Sequence, residues 1–159
     1  MKSASLAEIR KELKTLSREE ITELCEKLIK YKRDNKELLN YLLFDSVDED
    51  AYVERIKEDV SEAFAATNTS GFYLAKKSIR RALRIANKYI KYSDLPETEL
   101  DVLLHFCEEM KTLNINFRRS KVLVNLYERQ LVKINDIFAD LHEDLQYEFR
   151  SRVEAVSEV

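Results

Sequence analysis

Residues 72–92 read FYLAKKSIRRALRIANKYIKY, with seven Lys or Arg side chains and no acidic residue. At about 100° per residue, Phe72, Ala75, Ile79, Leu83, Ala86 and Ile90 gather into one stripe. Ala82, Ile85, Tyr89 and Tyr92 widen that apolar side. Lys77, Arg80, Arg81, Arg84, Lys88 and Lys91 gather opposite. The spacing predicts an amphipathic helix whose charged face is wholly basic. Such a face meets acidic neighbours within the fold or an anionic partner outside it.

The rest of the chain has the composition of long solvated helices. Of 159 residues, 45% are hydrophobic and 36% charged, with one Gly and one Pro. Ordinary globular domains are about 25% charged, and strands with tight turns need residues that are scarce here. The fold class read from this is all-α. The length suits a single domain, residues 1–159, able to bury its own core. A formal charge of −3 defines no partner class, but its distribution says more. Residues 64–93 carry only positive charge, and the flanking segments carry the compensating acid. Cys25 and Cys107 match no metal or redox spacing and read as small apolar residues. The opening MKSASLAEIRKELK has no apolar signal region, and no later run approaches a membrane span. The expectation is a cytoplasmic protein with no membrane contact.

Taken in order, Ser5-Leu-Ala-Glu8 is a capping box that opens a short helix to about Leu13. Ser17-Arg-Glu-Glu20 repeats the device and starts a second helix through Ile21, Leu24, Cys25, Leu28 and Tyr31 or Ile29. Asp34 or Asn35 is the expected cap of a third, ending at Phe44. The acidic run 45–50 leads into helix four, with Tyr52, Val53, Ile56, Val60, Ala63 and Phe64 on its buried side. Thr67–Gly71 is the clearest loop, and the basic helix follows it, closed by Ser93 and Asp94. Pro96 falls in the first turn of helix six, where a missing N–H costs nothing. Leu100, Leu103, Leu104, Cys107 and Met110 make that helix's face. A last helical region spans about 117–156, with a break expected near Ala139–His142, though one continuous helix is an alternative. This makes seven or eight helices: a three-helix segment, 1–44, then antiparallel hairpins over 50–159. The hairpins recur about every forty residues, the period of a short solenoid-like, tetratricopeptide- or HEAT-like bundle.

Tyr73, Ala75, Ile79, Ala82, Leu83 and Ile85 resemble the second helix of a tetratricopeptide repeat. The preceding helix supplies only Ala63 as a small residue, and Asn87 stands where that family has proline. The resemblance covers about a dozen residues and implies packing rather than a peptide groove. Leu6 to Phe44, notably Leu13-Lys-Thr-Leu-Ser-Arg-Glu-Glu-Ile and Leu38-Leu-Asn-Tyr-Leu-Leu-Phe, resembles the opening of an uncharacterised bacterial family of small helical proteins, a domain of unknown function. That resemblance implies a helical fold and bacterial origin, and no activity. The first two helices are also faintly similar to the SAP module, a DNA binder, without its glycine and basic turn.

Two basic clusters are the candidate sites. The first is Lys77, Arg80, Arg81, Arg84 and Lys88 on the basic helix. Acids on helix four (Glu54, Glu58, Asp59, Glu62) and helix six (Glu97, Glu99, Asp101, Glu108, Glu109) are expected along its flanks as internal partners. The competing reading is a polyanion site, since a positive stripe is the footprint of phosphate contact, with Tyr73 placed to stack a base. The second cluster is Arg118, Arg119 and Lys121 near a helix start, where cations oppose the dipole. Glu108 or Glu109 is the expected compensating group, a bound anion the alternative. His105 and Glu109 stand at i, i+4, but no third or fourth ligand accompanies them, so no metal site is expected. Nor does the sequence carry a Gly-rich phosphate loop or a nucleophile–base pair.

The reading is a non-catalytic helical interaction module without a cofactor, a monomer or weak homodimer with a protein partner. The alternative is nucleic-acid or other polyanion binding through the basic face of residues 76–91. The C-terminal apolar series Ile137, Leu141, Leu145, Phe149 and Val153 is expected to pack on the chain's own body.

Overall fold

Helix starts follow the predicted hydroxyl–carboxylate pairs. In the computed structural model, which describes residues 2–158, Ser5 Oγ accepts from Glu8 N, and Glu8 Oε2 accepts from Ser5 N at 2.7 Å. Ser17 and Glu20 repeat the exchange, with Ser17 N donating to Glu20 Oε2 at 2.8 Å. These bonds hold both carboxyls below their usual range. They begin helices α1 (Leu6–Leu13) and α2 (Arg18–Tyr31).

Helix α3 (Arg33–Leu43) starts earlier than Asp34 or Asn35 would have it. Lys32, in extended conformation at φ −146°, is its N-cap and supplies no side-chain bond. Asn35 Nδ2 instead donates to Leu28 O at 2.8 Å, a second bond to a last-turn carbonyl of α2 that also accepts from Lys32 N. The chain divides into two compact units, residues 1–44 and 45–159. In the first, α2 packs on α3, and Tyr41 is the only buried side chain among residues 2–44.

The second unit begins with a 3₁₀ turn, Asp45–Val47, and α4 (Glu49–Ala65), capped where Ala51 N donates to Asp48 Oδ1 at 3.0 Å. Then come α5 (Phe72–Ile90), α6 (Pro96–Thr112), a second 3₁₀ turn (Phe117–Arg119), α7 (Lys121–Asp140) and α8 (Glu143–Ser157). The described residues thus form eight α-helices and no strand. Ser93 does not close α5, which ends at Ile90. Its hydroxyl donates instead to Glu49 Oε1 at 2.6 Å. The last helical region is two helices. Gln146 Nε2 lies within hydrogen-bond reach of the carbonyls of Phe138, Ala139 and Leu141 at the break, where Phe138 O also accepts from Leu141 N.

Helix α6 is the hub. Besides the expected Leu100, Leu103, Leu104, Cys107 and Met110, Val102 and Phe106 are also buried, so apolar residues nearly encircle it. A helix of that kind is stable only when packed on all sides, and α6 touches α4, α5, α7 and α8. Long-range pairs give the directions. Glu49 meets Thr98, Lys57 meets Asp101, and Ser61 meets His105, so α4 and α6 run the same way. Tyr52 Oη donates to Tyr89 O, so α5 runs back between them. Glu99 pairs with Lys133, setting α7 against α6. Tyr127 Oη donates to Val156 O at 2.7 Å, setting α8 against α7. Phe149, Val153 and Val156 of α8 are buried, and that helix packs on α6 and α7. Helices α5 and α7 therefore run in parallel and pack on the same central helix.

Candidate anion-binding groove

Several acids of α4 and α6 are engaged away from α5. Arg152 on α8 forms a fork with Glu108, Nε to Oε1 at 2.7 Å and Nη2 to Oε2 at 2.9 Å, and its Nη1 reaches Asp101. Lys57 Nζ lies 2.7 Å from the other Asp101 oxygen and 2.8 Å from Glu54. Burial works against both cations, yet these carboxylates outweigh it and raise both pKa values. Glu109 accepts from Ser61, and Glu99 pairs with Lys133.

Five cations of α5 are left without such partners. Lys76, Lys77, Arg80, Arg81 and Arg84 make no ion pair with any described residue. Of the expected flanking acids, Asp59 on α4 feels the charge of Lys88, whereas α6 turns Glu99, Asp101 and Glu108 toward α7, α4 and α8. Lys88 differs: it is half-buried, its Nζ lies 5.2 Å from the Tyr89 ring centroid, and its charge acts on Asp59.

Between α5 and α7 lies an open groove of about 630 Å³. Lys76, Lys77, Arg80 and Arg84 line one wall, and Arg129 lines the other. Half-buried Leu83 and Leu126 supply apolar lining, Asn87 and Asn125 add amides, and no carboxylate of a described residue borders the groove. Tyr73, 74% exposed, stands at the end formed by the first turn of α5, with Lys76 Nζ 5.9 Å from its ring centroid. The local cause is periodicity. Ala75, Ile79, Ala82 and Ala86 are fully buried, which fixes the rotation of α5 and turns its basic ridge outward.

The groove gathers Lys77, Arg80 and Arg84 from the predicted set. Arg81 is exposed on α5 outside the lining, and Lys88 also lies outside it. The second cluster does not join. Arg118 and Arg119 are exposed in the 3₁₀ turn Phe117–Arg119, and Lys121 is exposed at the first residue of α7. None of the three lines the groove or makes an ion pair with a described residue. Their expected partners are taken, Glu108 by Arg152 and Glu109 by Ser61. Two groove residues, Lys76 and Arg129, are absent from the predicted site. The signal for Arg129 is the recurrence of Val122, Asn125, Leu126 and Arg129 at i, i+3, i+4, i+7 on α7. Only the packing of both helices on α6 sets that stripe opposite α5.

A Ser–His–acid group does form elsewhere. Ser61 Oγ lies 2.7 Å from His105 Nε2 and 2.7 Å from Glu109 Oε1, while His105 Nδ1 is 3.9 Å from Glu108. The hydroxyl gives its single proton to Glu109, so His105 meets it as donor and cannot act as its base. Amides in the middle of α4 and α6 are spent within the helices, leaving no oxyanion donors. The group reads as a polar tie between α4 and α6. Cys107, beside it in sequence, is buried, and burial followed by the charge of Glu108 pushes its thiol up to about 12. A thiol so protonated is a poor nucleophile. Among the described residues no three His, Cys, Asp or Glu side chains converge as a metal would require, and no helix is long and apolar enough to cross a membrane.

No family matches this chain, and neither a curated protein nor a solved structure matches it.

Proposed function

We propose that the protein is a non-catalytic, helical polyanion-binding module whose site is the groove between α5 and α7. One observation carries this reading: among the described residues five cations and no acid line the groove, and none of the five makes an ion pair with a described residue. Solvated surface pairs contribute little to stability, so leaving these cations unpaired costs the fold almost nothing. A phosphate chain brought into the groove would release condensed counterions into solution as the protein's cations replace them. The arrangement of α4, α6 and α8 with α5 and α7 between them supports a repeat-like scaffold of helical hairpins.

The test is fluorescence anisotropy of labelled nucleic acid titrated at low and physiological salt. For single strands, log K falls by about 0.7 per neutralised phosphate for each unit of log salt. Five engaged cations therefore give a slope of about −3.5. Absence of binding at low salt would remove the proposal.

A second reading, docking of a protein partner, is favoured by the first unit. Leu28, Leu42 and Leu43 are 58%, 54% and 58% exposed there. The native chain should then bind an apolar dye, and Leu28→Asp with Leu42→Asp should lower that binding. A native chain that binds no dye has this face covered, and the reading fails.

A further inference from the structure

We infer that the occupant of the α5/α7 groove is single-stranded nucleic acid, with one base stacked on Tyr73 and its phosphates along Lys77, Arg80, Arg84 and Arg129. This rests on the reading of the groove as a polyanion site and adds which polyanion. Shape is the first argument. A duplex offers a convex surface, and its major groove, about 12 Å wide, takes in a protruding helix. Here the cations border a concave gap between two helices, and its volume of about 630 Å³ falls in the size range of sites that enclose a small ligand, about 300–1,000 Å³. That is room for a piece of one strand.

Length is the second argument. From Tyr73 to Asn87 the wall rises about 21 Å along α5, at 1.5 Å per residue. At about 3.4 Å per nucleotide, the rise along one strand of a duplex, this spans about six stacked nucleotides, and fewer if the strand is extended. Single-strand sites begin at about four nucleotides. Lys77, Arg80 and Arg84 recur once per turn along this wall, so a strand lying along it meets a cation at regular intervals.

The aromatic ring is the third. Tyr73 is 74% exposed at the groove's end, although an apolar ring gains by burial. A base has a π-face for such a ring whatever its identity, so stacking there is tolerant of sequence. Lys76 beside the ring places a cation next to the stacked nucleotide. Base-free polyanions would use the cations alone.

The experiment measures three probes against the full chain: labelled oligothymidylate, a duplex of equal length, and inorganic polyphosphate as a competitor. The variants are Tyr73→Leu, Tyr73→Phe and the pair Arg80→Glu/Arg84→Glu, each checked by thermal melting. Expected are tighter binding of the single strand than of the duplex and a loss of about tenfold in single-strand affinity for Tyr73→Leu. Tyr73→Phe should bind as the parent does, and polyphosphate should compete equally against parent and Tyr73→Leu. Equal loss for polyphosphate in Tyr73→Leu would overturn base stacking, and tighter duplex binding would overturn the single-strand assignment. Both results leave the groove a polyanion site. No binding of any probe overturns that reading as well.

Discussion

Between α4, α6 and α8 lies a cavity of about 520 Å³ lined by six carboxylates and two cations, whereas the α5/α7 groove holds five cations and no carboxylate. In the first, both cations are committed: Lys57 lies between Asp101 and Glu54, and Arg152 bridges Asp101 and Glu108. In the second, none of the five has an ionic partner among the described residues. The same central helix serves both sides, but its carboxylates are placed where they tie α4 and α8 to it. Asp101 and Glu108 thus serve as internal fastening, and a positive site remains on a protein whose formal charge is −3. Net charge alone would have hidden it.

The sharpest way to break the contrast is on the paired side. Replacing Arg152 by methionine leaves Asp101 and Glu108 facing each other without their shared cation. Unpairing a fully buried charge costs about 3–5 kcal/mol. Arg152 keeps 30% of its side-chain exposure, so a loss of about 2–3 kcal/mol is expected, read from denaturant unfolding. A loss below about 0.5 kcal/mol would mean the network is as replaceable as a surface pair.

On the unpaired side, Arg129→Ala should leave stability within about 0.5 kcal/mol, as for an exposed residue without partners. It should weaken nucleic-acid binding several-fold and make its salt dependence shallower by about 0.7 for a single strand. Unchanged affinity would confine the site to α5.

The smallest effect comes from Asp59, where burial, Glu62 and Glu58 raise the carboxyl's pKa and Lys88 partly offsets them. A folded-state pKa above the unfolded value means that the fold holds this proton more tightly. The group's stabilisation is then complete below the unfolded pKa and is lost as pH rises through the folded one. Asp59→Asn should therefore stabilise by a few tenths of a kcal/mol at neutral pH, small because the exposed side chain is screened by solvent. The gain should vanish well below the carboxylate range. A mutant less stable at neutral pH would show that Asp59 is a net favourable partner of Lys88.

Much of the helical framework was legible because its signals are local. The capping boxes at Ser5 and Ser17, the first-turn Pro96 and the periodicity of α4 and α6 all lie within one or two turns of the groups they satisfy. Asn35 was misread because its amide serves the end of the preceding helix, seven residues back. The basic stripe was legible, but its state was not. Glu108, one of the expected flanking acids, is held instead by Arg152 of α8, a contact over 44 residues. Arg129 was invisible for the same reason. Its own helix gives it no distinction, and only packing across α6 sets it opposite Arg84. The isolation of Arg118, Arg119 and Lys121 likewise follows from partners captured by other helices.

The most direct test of the account measures affinity and stability together in Arg80→Glu/Arg84→Glu. Because neither arginine has an ion-pair partner among the described residues, the unfolding midpoint should stay where the parent's is. Single-strand affinity should meanwhile fall by more than about tenfold, the cost of two reversed charges at phosphate contacts. A midpoint that falls steeply would mean these arginines hold the fold together and that the groove's charges are spoken for at home.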